Sequence, residues 1–294
     1  MTNQFKKKQH YIPRFYLKRF TDKDGFLHIF DTEKHYYFRA TPDSFGYENN
    51  LYETKMAIPN KLGEKFLLRN DIENTFARYE GEFDAFLKKL DRICTPKQSK
   101  NALILHTDEK EILYRLIANF LLRNPVTMDE LDLNNTGFMN TDEKERLDKL
   151  LCMLSLCSID ELIMFTNKKF ALTEEIDGNG IKQISDNIRK LGFVFVYSPE
   201  GHFITSSFPI TIGEDNAILS EDKTSIHCAL SPKLSVLFGN YSAFEHMHNR
   251  MIRIENNNIV RKVNDQAAKP ILNHGRTLIA SSKENLMKYI KNGW

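Results

Sequence analysis

The hydrophobic and polar positions along the 294 residues change period twice. Between positions 26 and 40, aromatic and branched residues alternate in two short runs, FLHIFD and HYYFRA, with Glu33 and Lys34 between them. That alternation predicts a β-hairpin. From about position 66 the period becomes helical. In IENTFARYEGEFDAFLKKL, the residues Ile72, Phe76, Tyr79, Phe83, Phe86, Leu87 and Leu90 fall on one stripe, which predicts an amphipathic helix. The following ILYRLIANFLLR is apolar nearly all round, the pattern of a buried helix, here predicted over 107–123. Thr107 is placed to cap its start, with Lys110 where a capping box wants an acid, and Pro125 stops it. A polar loop over 128–140 precedes further helical pattern over 141–170, where Cys152 and Cys157 fit as small apolar fillers. IKQISDNIRKLG predicts a short helix closed by Gly192. The chain then turns strand-like: FVFVYS reads as a buried strand, FITSSFPITIG as one strand bent at Pro209, and LSVLFGN as another.

These elements predict an α+β protein with a small N-terminal hairpin, a helical middle and a mostly antiparallel C-terminal sheet. We read one compact domain over 1–294, whose natural subdivision is a helical part, 1–190, and a sheet part, 191–294.

The densest chemistry lies at the start, in QHYIPRFYLKRF, residues 9–20. The first twenty residues carry Lys6, Lys7, Lys8, Arg14, Lys18 and Arg19 and no acid, interleaved with Phe5, Tyr11, Phe15, Tyr16 and Phe20. Pro13 suits the first turn of a helix. Tyr16, Leu17 and Phe20 then form an apolar stripe, with Arg14 and Lys18 on another flank. His10 would sit just before that first turn, where the helix dipole favours the neutral imidazole. A docking helix with a solvated basic face and an RNA- or DNA-binding surface both satisfy this pattern.

Composition narrows the choice. With 41 basic and 39 acidic residues the net charge is only +2, so nucleic-acid contact requires a local patch. No apolar run approaches the roughly 18–20 residues that span a bilayer, and the basic start has no apolar segment after it. We therefore expect a cytoplasmic protein without membrane contact. Four cysteines without CxxC spacing read as reduced thiols, neither a disulfide frame nor a zinc site.

Three further groups attract attention. Glu73 and Glu80 lie two helical turns apart on one flank. They could hold a divalent cation such as Mg²⁺ or Mn²⁺ with further oxygen ligands, or divide acid and base roles, or simply face solvent, with Glu80 paired to Lys88. Arg123 ends the buried helix, where it either caps carbonyls or clamps a phosphate or carboxylate. Glu245, His246 and His248 have a zinc-like spacing if they lie on a strand, but no third ligand is near. There is no Walker A motif, GxGxxG, HExxH or GxSxG.

The pattern His-Tyr-x-Pro-x-Phe-x-Leu-x-x-Phe, formed here by His10, Tyr11, Pro13, Phe15, Leu17 and Phe20, resembles the opening of the family known as domain of unknown function 4238. The resemblance continues along most of the chain. It implies acids on a helix at Glu73 and Glu80, and a buried helix ending in Arg-x-Pro at Arg123. It also implies a Thr-Ser-Asp-x-Pro strand, where this chain has Thr205, Ser206, Ser207, Phe208 and Pro209. Ser207 thus stands where an acid is usual. His227–Pro232 is similar to a strand ending in Pro-Leu-Ser-Pro, with Ala229 at the first proline, and Asn264 matches an asparagine that opens the last helix. The family implies no activity, only which residues to watch.

Two functions fit these residues. One is a phosphodiester-acting, nuclease-like effector of a bacterial toxin or defence kind. Its candidate catalytic residues are His10, Glu73, Glu80, Arg123, Ser206, Ser207 and Asn264, with Lys6, Lys7, Lys8, Arg14, Lys18 and Arg19 on nucleic acid. The other is a non-catalytic module that binds nucleic acid or a partner protein through the same basic face, favoured by the hydroxyl at Ser207. For the first, the chain ends must meet, so that His10, Arg123 and the Ser206–Ser207 strand border one cleft.

Overall fold

In the computed structural model, residues 7–49, 51, 71–95, 103–125, 185–213, 225–254, 257–268 and 276–290 are described. The chain opens with β1 (Lys8–His10) and α1 (Arg14–Leu17), which runs on as a tight 3-10 turn to Phe20. The Pro13 carbonyl accepts from the N–H groups of Tyr16 and Leu17, so the proline starts the helix as its fixed φ allows. Tyr16, Leu17 and Phe20 are fully buried. Asp22 then closes a turn by accepting from the N–H groups of Asp24 and Phe26. The predicted hairpin follows as β2 (Leu27–Asp31) and β3 (Tyr36–Ala40), paired from Leu27 opposite Ala40 to Asp31 opposite Tyr36.

A last N-terminal strand, β4 (Tyr47–Asn49), returns antiparallel to β1 and sets His10 opposite Tyr47. Gly46 makes this return. Its φ is +72°, and its carbonyl accepts from the Ile12 N–H at 3.1 Å. A Cβ there would stand 3.1 Å from the buried Ile12 side chain, so the site favours glycine on both counts.

The helical stripe becomes α2 (Asp71–Ile93), which buries Phe76, Phe83, Phe86, Leu87 and Leu90. The apolar run becomes α3 (Thr107–Leu122), buried from Leu113 to Leu122 except at Arg115. Its cap differs from the expected one. His106, not Thr107, holds the cap position, which moves Glu109 into the third position of the first turn. Glu109 then accepts from the His106 N–H at 2.9 Å.

The C-terminal strands build around β5 (Leu191–Tyr197), buried at every residue. With β7 (Ile210–Ile212), β8 (Ile226–Ser231), β9 (Leu234–Asn240) and β10 (Arg250–Arg253) it forms a five-stranded sheet in the order β10-β5-β9-β8-β7. Only the β10–β5 pair is parallel. Gly192 lies inside β5 rather than closing a helix. It faces Gly239 across the β5–β9 pair, and a Cβ on either would come 2.5 Å from Phe244. The two glycines thus seat the ring of Phe244, on the short helix α4 (Tyr241–Phe244).

The stretch around Pro209 is two strands, not one bent strand. β6 (Thr205–Ser206) pairs with β11 (Thr277–Ala280), while β7 pairs with β8 in the other sheet. β11 also pairs with β2, so the N-terminal hairpin is one half of a four-stranded antiparallel sheet, β3-β2-β11-β6. Its two faces are sorted by alternation. Leu27, Ile29 and Ile279 join the main core with α1, α2, α3 and the larger sheet. Phe30, Leu278 and Ala280 pack instead with Leu286, Tyr289 and Ile290 of α6 (Lys283–Ile290). Between β10 and β11 runs α5 (Asn257–Ala268).

Lys6, the side chain of Ile72, the 128–140 loop and the 141–170 helices with Cys152 and Cys157 lie outside the described residues. Cys94 and Cys228 are buried free thiols. No described helix is long and apolar enough to cross a membrane.

Candidate functional site

His10 is positioned by strand pairing. It sits at the end of β1, four residues before α1 begins at Arg14, so the expected place at the helix N-terminus is corrected. The imidazole is nonetheless held neutral. Its pKa falls from 6.5 to about 4, first through burial and then through the charges of Arg14 and Arg123, which outweigh Glu80 and Asp43. The ring packs on Tyr47 with centroids 5.4 Å apart. Its Nε2 is buried and has no hydrogen-bond partner among the described residues. A buried nitrogen left bare costs on the order of 1–3 kcal/mol.

Arg123 is the junction. It follows α3, and its N–H donates to the Asn119 carbonyl at 3.1 Å. Its fully buried guanidinium donates to Glu80 Oε1 at 2.9 Å through Nη1 and to the His10 carbonyl through Nη2. It also lies over the Phe76 ring at 5.0 Å. These contacts join α2, α3 and β1. The next residue, Asn124, donates from Nδ2 to the Ser207 carbonyl at 2.8 Å and adds the β6 segment to the junction. β1 and the β6 segment therefore both reach the C-terminal end of α3. Arg123 meets them as an internal tie, since its guanidinium has no exposed edge to offer an external clamp.

Glu73 and Glu80 share one flank of α2, two turns apart. Glu73 is buried, while the Glu80 side chain is 31% exposed and belongs to Arg123 rather than to Lys88, which pairs with Asp84. Among the described residues no three His, Cys, Asp or Glu side chains stand together as a metal cage would need, so Glu73 and Glu80 do not form one by themselves. His246 lies on a short 3-10 turn that ends before His248, and the His248 ring accepts from the Phe193 N–H at 3.3 Å.

The hydroxyls of the β6 segment serve the local backbone. Ser206 Oγ donates to the Phe208 carbonyl at 2.7 Å and stands 3.1 Å from the Phe208 N–H. Ser207 Oγ accepts from the Thr277 N–H, while the Ser207 N–H donates to the Thr277 carbonyl. Ser207 thus extends the β6–β11 ladder. Asn264 is inside α5 and does not open the last helix. Its side chain accepts from the Ile204 N–H and donates to the His202 carbonyl and the Tyr289 hydroxyl, so it pins α5 and α6 to the segment that leads into β6.

The cations divide by role. Lys7 and Lys8 are exposed, and Lys8 Nζ lies 4.6 Å from the Tyr47 ring centroid. Arg14 reaches Asp43 at 2.8 Å in an open pair, 57% and 67% exposed. Arg19 is 10% exposed and donates to the Leu230 carbonyl and to Asp91, both at 2.6 Å. Burial makes it a fastener between the first helix, α2 and β8 rather than a free nucleic-acid contact. An open cleft of about 650 Å³ runs along Arg14 and Arg19. His10, Arg123, Ser206 and Ser207 are not in its lining, so this is not the expected cleft bordered by all of them. Arg14, Lys18, Arg19 and Lys88 line it with Asp43, Glu80, Asp84 and Asp91, so its walls balance in charge.

Two buried groups escape a reading of the sequence. Tyr16 appears there only as part of an apolar stripe, yet its hydroxyl donates to the Ala229 carbonyl at 2.6 Å and lies 2.7 Å from Thr205 Oγ1. It thereby joins α1 to both sheets. Burial pushes its pKa well above 10.0. Asn119, one turn before Arg123, is fully buried with neither end of its amide hydrogen-bonded among the described residues. A polar residue inside an apolar helix was the available signal for it.

The chain belongs to the family described as "Protein of unknown function (DUF4238)", whose model matches residues 8–284. No curated protein and no solved structure matches it.

Proposed function

We propose that the protein acts on phosphodiester bonds and that His10 is the general base. The observation that carries this reading is a neutral, half-buried imidazole that feels the charges of Arg14, Asp43 and Glu80, three residues that line the open cleft. Being neutral, the ring is ready to accept a proton near neutral pH. A pKa near 4 alone would make it a weak base. A phosphate bound at Arg14 offsets the cationic field that depresses the ring and raises its basicity while substrate is present. The Arg14–Asp43 pair does not prevent this, because an exposed ion pair contributes only about 0–1 kcal/mol and yields to a phosphate.

In the reaction, water or the neighbouring sugar hydroxyl attacks phosphorus and gives its proton to the half-buried His10 imidazole. The bond to the leaving oxygen breaks, and that oxygen takes a proton back from the imidazolium. Glu80 and Arg123 act as positioning residues, since Arg123 grips the His10 backbone and Glu80 orients Arg123. Incubation of purified protein with RNA and DNA, with and without Mg²⁺ or Mn²⁺, tests the proposal. Cleavage that is lost in His10→Gln supports it, and intact substrate under every condition overturns it.

A second reading is a non-catalytic binding module on the same face. It is favoured by the internal commitment of Arg123, Ser206 and Ser207 and by the balanced charges of the cleft. Salt-sensitive binding without turnover would select it.

A further inference from the structure

The β1–β4 ribbon has two unlike faces. Lys8 opposes Asn49, and His10 opposes Tyr47, two positions along each strand. With a side-chain period of two, these four side chains emerge together, and Gln9 and Glu48 emerge on the other side. Gln9 is fully buried and its opposite Glu48 is exposed at the ribbon's rim, whereas Lys8 and Asn49 are exposed and Tyr47 and His10 are half-buried. The outward face therefore carries an aromatic ring between a cation and an imidazole, with Lys8 Nζ 4.6 Å and the His10 ring 5.4 Å from the Tyr47 centroid. Glu48, the one acid on the two strands, is directed away from it. Lys7 is exposed just before the ribbon, and Arg14 just after it.

An aromatic ring beside exposed cations suits an unpaired base followed by its phosphates. The ring takes the face of the base by stacking, and the cations take the backbone. A duplex keeps its base faces inside its own stack, so it has nothing to lay on Tyr47. Lys8 costs little to move, because it is exposed and lies over the ring only by a cation–π contact; it swings from the ring to a phosphate. We propose that the outward face of the β1–β4 ribbon is a platform for single-stranded nucleic acid, with one base stacked on Tyr47 and Lys7 and Lys8 on the backbone. The proposal rests on the phosphodiester reading of His10 and names its substrate class: a base on Tyr47 brings the adjoining backbone to the imidazole beside it.

Binding, not cleavage, tests this. Fluorescence anisotropy of a short labelled single-stranded RNA, the same sequence as DNA, and the matched duplex is measured at several salt concentrations. The expected result is a preference of roughly ten-fold or more for single strands over the duplex. Tyr47→Leu should lose roughly ten-fold or more on the single strand alone, and Tyr47→Trp should restore it. Lys8→Gln should lower the salt slope by about one. Equal binding of duplex and single strand by the unaltered protein overturns the platform, whether or not Tyr47→Leu folds. So does a folded Tyr47→Leu that binds single strands as the parent does. Selective binding without any cleavage would overturn the hydrolytic role of His10 and leave the platform standing. Cleavage without strand preference would do the reverse.

Discussion

Arg123 donates a hydrogen bond to the backbone carbonyl of His10, 113 positions earlier in the chain, while its other amino group holds Glu80. Nothing local requires these residues to be neighbours. A fully buried guanidinium with partners on β1 and α2 makes the candidate site and the fold depend on the same side chain. Arg123→Ala should therefore cost about 3–5 kcal/mol, the range for breaking one side of a buried ion pair. Glu80→Gln, which keeps an acceptor on a half-exposed side chain, should cost about 1 kcal/mol. Chemical denaturation measures both, and an Arg123→Ala midpoint equal to the parent's would remove the junction from the account.

The imidazoles set a pH dependence with a definite sign. His10 and His227 both fall from 6.5 to about 4 in the folded chain, His10 by burial reinforced by Arg14 and Arg123, and His227 by burial. Between those values the unfolded chain binds more protons than the folded one. Stability is thus fully present above about 6.5 and is lost as pH falls toward about 4. His10→Gln and His227→Gln should each flatten part of that slope. NMR titration reads the sites directly, and a His10 ring titrating near 6.5 would contradict the burial argument.

Asn119 gives a test of whether structure or function keeps a polar group in the core. Both ends of its buried amide lack partners among the described residues. Asn119→Leu has nearly the same shape and removes that desolvation penalty, so it should raise stability by about 1–3 kcal/mol. A loss of stability on denaturation would show that the amide is satisfied in solution.

Much of this fold is legible in the sequence because long periodic segments leave little choice. The β2–β3 alternation, the α2 stripe and the all-round apolar α3 each match one element. Where the sequence misleads, the deciding contact is remote or the element is short. Three-residue strands such as β1 and β4 carry no period, and their pairing depends on the turn at Gly46. The stretch around Pro209 splits between sheets because its partners, β11 and β8, lie elsewhere in the chain. Gly192 looks like a helix stop until Phe244 is seen against it. At the site, the residue types of His10, Arg123 and the Ser207 segment mark them in the sequence, but the contacts that join them run through the His10 carbonyl and the Asn124 amide, which it does not show. The burial of Arg123 and Arg19 is not readable there either, since it depends on Glu80 and Asp91 from another helix.

The cations should separate by experiment as they do by exposure. Lys7→Gln with Lys8→Gln should weaken polyanion binding and lower its salt slope by about two, with the melting temperature unchanged. Arg19→Ala should lower stability by about 1–3 kcal/mol, because it strips the Leu230 carbonyl and Asp91 of their donor. Affinity at low salt that ignores both lysines would defeat the nucleic-acid reading in its catalytic and non-catalytic forms.

The central claim is that His10 takes the proton in a phosphodiester reaction. The most direct measurement is single-turnover cleavage of single-stranded RNA and DNA by the parent and by His10→Gln, with binding measured on the same samples. Binding should be equal and the cleavage rate lower by about 10²–10⁴ in the variant. Cleavage by His10→Gln at the parent's rate, or bound substrate that the parent never cleaves, would contradict it.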